Sequence, residues 1–237
     1  MIYSTAPQGS EIWHELRRGR ITGSKFKAAR DFTKTGKPSA KRTLYAYDVA
    51  RERFGGKVEG NYQTYAMKSG QEQEPFARQA YETTTGHIVH EVGFAMTECG
   101  MFGLSPDGAV HTDPEGPGGV EIKTMFGSEN LFSTVIEEDY SEYIDQCLGY
   151  MLFLDWQWVD LCLWSPDLEE KGLGLVIHRI HRKDNIEAIA KLKADLDAFA
   201  SLVREYESAL KKKAAANVVA LSAHISEAQE QLEPLAA

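Results

Sequence analysis

Two apolar runs, Trp158–Trp164 and Leu173–Ile180, restrict what this chain can fold into more than any other feature. A strand buried on one face alternates apolar and polar residues, whereas a strand buried on both faces reads as a nearly continuous apolar run. The two runs therefore predict a central strand and its neighbour, joined by the acidic turn at 165–172, in a sheet that needs cover on both sides. Helical patterns supply the cover. From Asp184 to Lys213 the positions Ile186, Ile189, Leu192, Leu196, Phe199, Val203, Tyr206 and Leu210 recur every three or four residues, the stripe of a long amphipathic helix that has to pack on the sheet or on a second subunit. The expected class is α/β, a mixed central β-sheet flanked by helices. With 237 residues, 43% of them hydrophobic, the chain can bury such a core as one domain. That domain is placed at 1–213, and 214–237, with a weaker stripe at Val218, Leu221, Ile225, Ala228 and Leu232, is a tail that is either a docking helix or loosely ordered.

Upstream, Ser10 is a plausible N-cap for a short helix bearing Ile12, Trp13 and Leu16 and ended by Gly19. Thr22-Gly23-Ser24 begins a second helix. Residues 31–43 form a basic loop suited to a nucleic-acid backbone, followed by a helix from Ala40 to Phe54 with Leu44, Tyr45, Val49 and Phe54 as its apolar face. Another helix covers 62–85, with Ala66, Phe76, Ala77, Ala80 and Tyr81 buried and Gly70 permitting a close approach. A meander then runs through Ile88, His90 and Val92, through Phe94–Met96 and through Met101–Leu104. Further helices are expected at Ser128–Ile136 and Ser141–Leu154, and in the second one Tyr143, Gln146 and Tyr150 share a face.

Composition excludes several classes. No apolar run approaches the roughly 20 residues that span a bilayer, and the N-terminus has no signal-peptide pattern, so a cytoplasmic protein is expected. Cys99, Cys147 and Cys162 are odd in number and widely spaced, which argues for buried thiols rather than disulfides or zinc. The net charge of −9 is unevenly spread: residues 1–57 carry 13 Lys+Arg and 5 Asp+Glu, and the rest carry 13 and 30. A basic front can attract phosphate while an acidic body keeps polyanions off other surfaces. Within that front, a guanidinium from Arg17 and the hydroxyl of Ser24 at a helix start form a candidate phosphate clamp.

The chemistry concentrates between Ser105 and Lys123. Ser105-Pro106-Asp107-Gly108 is a turn-forming context before a short strand, and the Pro/Gly-rich stretch 112–119 turns into a strand holding Glu121-Ile122-Lys123. Alternation puts Glu121 and Lys123 on one side of that strand and Ile122 on the other. If the two strands pair, Asp107 and Glu121 converge, and carboxylates so placed repel unless a cation lies between them. An oxygen-rich pocket of this kind suits Mg²⁺ or Mn²⁺. Lys123 would then orient or deprotonate a water, completing a minimal kit for metal-assisted phosphodiester hydrolysis. A solvated salt-bridged strand carries the same triplet, so the neighbours decide.

Those neighbours, in their order, resemble the lambda exonuclease type of viral recombinase, the YqaJ family of PD-(D/E)xK nucleases. Trp13-His14-Glu15-Leu16-Arg17 with Gly19, Ile21-Thr22 and Ser24 is similar to the family's N-terminal motif; Gly70 to Glu74 with Ala77-Arg78 to its glutamate-bearing helix; Ser105 to Gly108 and Glu121 to Lys123 to its catalytic core; and Tyr143-x-x-Gln146 to its last motif. The resemblance implies a restriction-endonuclease-like core and a 5′-to-3′ exonuclease acting on double-stranded DNA ends beside a single-strand annealing protein, with a homotrimer ring as a possible assembly. It implies that Arg17 and Ser24, with Ser105 nearby, hold a terminal 5′-phosphate, and that Asp107, Glu121 and the Ile122 carbonyl bind Mg²⁺. Lys123 is then the catalytic lysine, Glu74 (rather than Glu72) and Gln146 support the site, and Trp13 and Tyr143 are candidate substrate contacts. Two rivals remain: an endonuclease of the same fold in restriction or repair, and a non-catalytic module that binds DNA ends or a partner.

Overall fold

The computed structural model describes residues 1–57 and 65–232. The chain opens with β1 (Ile2–Ser4), α1 (Glu11–Arg17) and β2 (Ile21–Thr22), then a 3₁₀ turn, α2 (Phe26–Ala29), α3 (Ala40–Arg53) and α4 (Tyr65–Thr85). Three short strands and one long one follow: β3 (Phe94–Met96), β4 (Phe102–Leu104), β5 (Gly108–Val110) and β6 (Gly118–Thr124), with α5 (Ser128–Leu131) and a π-helical turn at Phe132–Ile136 after them. The chain closes with α6 (Ile144–Leu154), β7 (Trp158–Trp164), β8 (Leu175–His181) and α7 (Ile186–Leu232).

The expected single sheet is two mixed four-stranded sheets, ordered β1-β3-β4-β2 and β5-β6-β7-β8. The apolar runs behave as predicted. β7 is buried at every position and lies centrally, parallel to β6 and antiparallel to β8 at the edge. Two parallel neighbours need a crossover, and α6 provides it. One face of this second sheet, with Val120, Ile122, Trp158, Cys162 and Trp164, packs under Ala77 and Tyr81 of α4. The other, with Val159, Leu161 and Leu163, packs against Cys147, Leu148 and Met151 of α6. α7 lies along α3, α6 and α2, so its amphipathic stripe packs chiefly on helices, which stand between it and the sheet expected to receive it.

Local sequence explains the element starts. Ser10 and Ser39 each accept a hydrogen bond from the backbone N–H three residues on, at 3.2 and 3.1 Å, as N-caps of α1 and α3. Gly19, at φ +68°, turns the chain out of α1 where a Cβ would stand 3.2 Å from the Arg53 backbone.

Several expectations need correction. Residues 88–92 are not a strand: their backbone pairs with the second sheet at the His90–Ala109 bridge, and Val89 rather than Ile88 is buried, against Val110 and Val120. The alternating pattern was in place, but β5 is too short to pair with it. Phe76, Leu44, Phe54 and Ile12 are exposed, because the faces that carry them look away from the sheets. Gly70 meets nothing within 4 Å, so it serves no close approach. The helix at 128–136 widens into a π turn midway, and α6 starts at Ile144, after a turn at Ser141–Tyr143. Cys99 is exposed, while Cys147 and Cys162 are buried. Tyr62 and the side chains of Ala66, Ile225, Ala228 and Leu232 lie outside the described residues. No helix among the described residues is long and apolar enough to cross a membrane.

Candidate active site

β6 outlasts β5. Their ladder pairs Gly108 with Val120 and Val110 with Gly118, so one step further would set Pro106 opposite Ile122. Proline has no N–H to give, and the ladder ends there. The Ile122 N–H, freed from a strand partner, donates instead to Asp107 Oδ2 at 2.7 Å. Because a strand residue turns its N–H and C=O toward the same neighbour, the Ile122 carbonyl also faces the side that β5 has vacated.

Glu121 and Lys123 project from the opposite face of β6, toward α6, as alternation requires. Glu121 is 2% exposed. Its Oε1 meets Lys123 Nζ at 2.5 Å, and its Oε2 accepts from the Tyr150 hydroxyl at 2.6 Å. Gln146 Nε2 in turn donates to the Tyr150 oxygen at 2.7 Å. The Lys123 ammonium lies 5.7 Å from the centre of the Tyr143 ring. Tyr143, Gln146 and Tyr150 thus do share a face, and it looks onto β6.

The electrostatics are those of too many carboxylates. Burial, followed by repulsion from Glu121, pushes Asp107 well above the usual carboxylate range. Burial also raises Glu74, against the pull of Arg78 and with some repulsion from Glu121. For Lys123, burial favours the neutral form, but Glu121 and Asp107 overcome it and hold the ammonium charged. Burial and the charges of Glu121 and Asp107 keep the Tyr150 hydroxyl protonated. One ammonium is shared among these acids, and Asp107 Oδ1 and Glu74 Oε2 have no hydrogen-bond partner among the described residues. Two hard oxygen donors and a vacant carbonyl beside them fit a divalent cation such as Mg²⁺. No group of three or more His, Cys, Asp or Glu among the described residues forms a metal cage on its own, so waters or substrate oxygens would complete the coordination.

Glu74 reaches this region from α4. It lines a cleft of about 480 Å³ with Gln71, Arg78, Glu91 and Asp107, whereas Glu72 stays exposed. Arg78 holds Glu74 at 2.7 Å and Glu91 at 2.6 Å.

The N-terminal motif arrives through a tryptophan. Trp13 Nε1 donates to Ser105 Oγ at 2.8 Å, and Ser105 Oγ donates to the Gly93 carbonyl at 2.7 Å. Its one proton is committed, so Ser105 fixes Trp13. The half-buried Trp13 is neither a core residue nor a free platform: the Arg17 guanidinium lies over its ring at 4.3 Å. Arg17 Nη2 then reaches Ser24 Oγ at 3.3 Å and Thr22 Oγ1 at 3.5 Å. Burial lowers the Arg17 pKa, and no carboxylate pairs with Arg17 among the described residues. Sequence reasoning assigned no site role to Tyr150 or Arg78. The stripe at 143, 146 and 150 was the available signal for Tyr150; for Arg78 it was the i, i+4 spacing from Glu74.

A family model for the YqaJ-like viral recombinase domain matches residues 12–155, a span that contains every residue discussed for the site. The chain belongs to the YqaJ-like viral recombinase family. Among solved structures, an alkaline exonuclease (LHK-Exo) from Laribacter hongkongensis is 31% identical, with a TM-score of 0.73 over 87% of this chain and 98% of that one. The same exonuclease in complex with dAMP matches at 32% identity and the same coverage. A phage-related exonuclease from Haemophilus somnus 129PT, 16% identical, shares the fold at a TM-score of 0.62 over 84% of this chain. No protein of curated function matches the sequence. This YqaJ-family chain is therefore homologous to alkaline exonucleases, and its core is the PD-(D/E)xK fold.

Proposed function

We propose that the chain is a Mg²⁺-dependent exonuclease that digests one strand of double-stranded DNA from its 5′ end. The observation that carries this reading is the link from Arg17 through Trp13 to Ser105, two residues before Asp107. It ties a guanidinium that lacks a carboxylate partner to the carboxylate–lysine centre. A cation without a counter-ion, walled by two hydroxyls, suits a phosphate, and a terminal phosphate seated there would set the next phosphodiester over Asp107 and Glu121.

In this reading Asp107, Glu121 and the Ile122 carbonyl hold the metal, with Mn²⁺ as a substitute, and Glu74 supports it from α4. A bound Mg²⁺ supplies activation of water and charge stabilisation at the scissile phosphate. Lys123, held protonated, orients the attacking water and donates to developing negative charge. Tyr150 and Gln146 fix Glu121, and Tyr143 flanks Lys123. The family resemblance supports a single-strand annealing protein as partner, a bacterial cytoplasm as the setting and a ring of three chains as the assembly.

The test is digestion of linear duplex with and without a 5′-phosphate, in Mg²⁺ and in chelator, beside closed circular DNA. Nucleotides should leave phosphorylated 5′ ends in Mg²⁺ only, and the circle should stay intact. Asp107→Ala should abolish release, whereas Arg17→Ala should mainly erase the advantage of phosphorylated over hydroxyl ends. Full digestion by Asp107→Ala, or cutting of the circle, defeats the reading.

A further inference from the structure

Arg17 has a second outlook. Besides facing Trp13 and Ser24, it forms one wall of a groove of about 410 Å³ between α1 and α3. Arg18 and Arg20 from the end of α1, Lys25 from the turn after β2 and Lys41 from the first turn of α3 line the same groove. Lys25 and Lys41 are exposed and have no ion-pair partner among the described residues, and Arg18 meets only Glu15, at 3.2 Å on the surface. The opposing acids, Asp48 and Glu52, are fewer, and Glu52 is engaged with the Gly19 N–H at 2.7 Å. The wall is not only cationic. Leu44 is 60% exposed, which is unusual for a leucine on a helix otherwise packed against α7, and it lines the groove beside Tyr45 and Val49.

A groove with cations and an apolar wall matches a nucleotide better than a bare anion, since cations take the phosphate while leucine and tyrosine take the sugar and base. Its volume falls within the range of small-molecule sites. Its place matters most: Arg17 and Thr22 line it, whereas Trp13, Ser105, Asp107 and Glu121 do not, so it extends beyond the carboxylate–lysine centre. A site built only to receive a terminal phosphate would be closed there.

We propose that this groove binds nucleotides lying 5′ of the phosphate at Arg17, so that single-stranded 5′ extensions are accommodated and the first cut on such an end releases an oligonucleotide. The inference rests on the exonuclease reading above. Blunt ends place their 5′-phosphate on Arg17 and leave the groove vacant. Extended ends place an internal phosphodiester on Arg17 and thread the extension along Lys25 and Lys41.

The experiment uses 3′-labelled and 5′-labelled duplexes with blunt or five-nucleotide 5′-extended ends, in Mg²⁺, with products resolved on denaturing gels. The wild type should release a 5′-labelled oligonucleotide as its first product from the extended end and a mononucleotide from the blunt end. Lys25→Ala/Lys41→Ala should raise KM for the extended end several-fold, leave kcat close to wild type and change the blunt end much less. Leu44→Asp should act in the same direction. Mononucleotides as the first product from both ends, or equal losses on both ends in the double variant, overturn the inference while leaving the nuclease reading intact. Absence of Mg²⁺-dependent release from either end defeats both. Unchanged thermal melting of the variants, expected for exposed lysines, excludes a folding defect.

Discussion

Replacing Tyr150 by Phe removes one oxygen atom from the site and nothing else. That oxygen donates to Glu121 at 2.6 Å and accepts from Gln146 at 2.7 Å, in a position with no solvent access. A hydrogen bond to a charged group contributes about 1.5–3 kcal/mol. Against that loss, the phenyl ring no longer buries a hydroxyl, which recovers roughly 1 kcal/mol. Gln146 is only partly buried and can turn to water. The net cost is about 0.5–2 kcal/mol, and for a domain of this size each kcal/mol lowers Tm by roughly 2–4 °C. A fall of about 1–8 °C in chelator is expected, with an unchanged urea m-value, since the surface exposed on unfolding is the same. Activity should fall more than stability implies, because Glu121 keeps only its bond to Lys123 and loses its fixed aim. A loss of transition-state stabilisation near 1.4 kcal/mol corresponds to about tenfold in kcat. Melting curves and single-turnover digestion of a blunt phosphorylated duplex measure the two effects. If Tm and rate both match the wild type, Tyr150 does not position Glu121.

Three further outcomes follow from the same geometry. Arg179 grips buried Asp160 with two bonds of 2.8 and 2.9 Å and lies 3.8 Å over Trp158, so Arg179→Met should cost about 3–5 kcal/mol in urea unfolding, as expected when one partner of a buried pair is removed. Asp113 is held below its ordinary carboxylate range: burial opposes this, but the Glu115 N–H and the Arg179 guanidinium outweigh it. A depressed folded pKa gives stability that is present above the unfolded value of about 3.9 and lost as pH falls through the folded one, so Asp113→Asn should destabilise at neutral pH and match the wild type in strong acid. A Cβ on Gly108 would stand 2.1 Å from Val89 Cγ1, so Gly108→Ala should cost about 1–3 kcal/mol by overpacking and also displace the adjacent Asp107, seen as lower Tm together with slower digestion.

The legible part of this fold was the part governed by period. β7 and β8 were visible as apolar runs, α7 as a stripe, and the pairing of Glu121 with Lys123 as simple alternation. What escaped depended on partners distant in sequence. Residues 88–92 alternate like a strand, yet strand formation needs a neighbour of matching length, and β5 offers three residues. The division into two sheets was equally hidden, because β1 and β2 are two or three residues long and gain their identity only from β3 and β4. At the site, the motifs named side chains that the fold brings together but not their connections. Ser105 read as a phosphate contact because it is a hydroxyl near the catalytic loop; only the geometry shows its proton spent on Gly93 and its lone pair on Trp13. Arg78 and Tyr150 escaped because their work is done on other side chains.

Pro106 touches no reacting group, and its importance lies in a bond that it is unable to form. Any other residue there would bring an amide hydrogen opposite the Ile122 carbonyl, and the antiparallel ladder of β5 and β6 could advance by one more rung. The sheet would gain a hydrogen bond of about 1 kcal/mol and quench a carbonyl oxygen that the exonuclease reading requires. Pro106→Ala is accordingly a substitution whose two effects carry opposite signs: a higher melting temperature in chelator, and weaker Mg²⁺ or Mn²⁺ binding by calorimetry. In this view the catalytic centre is an arrested β-sheet, kept from finishing itself by a ring closure on one nitrogen.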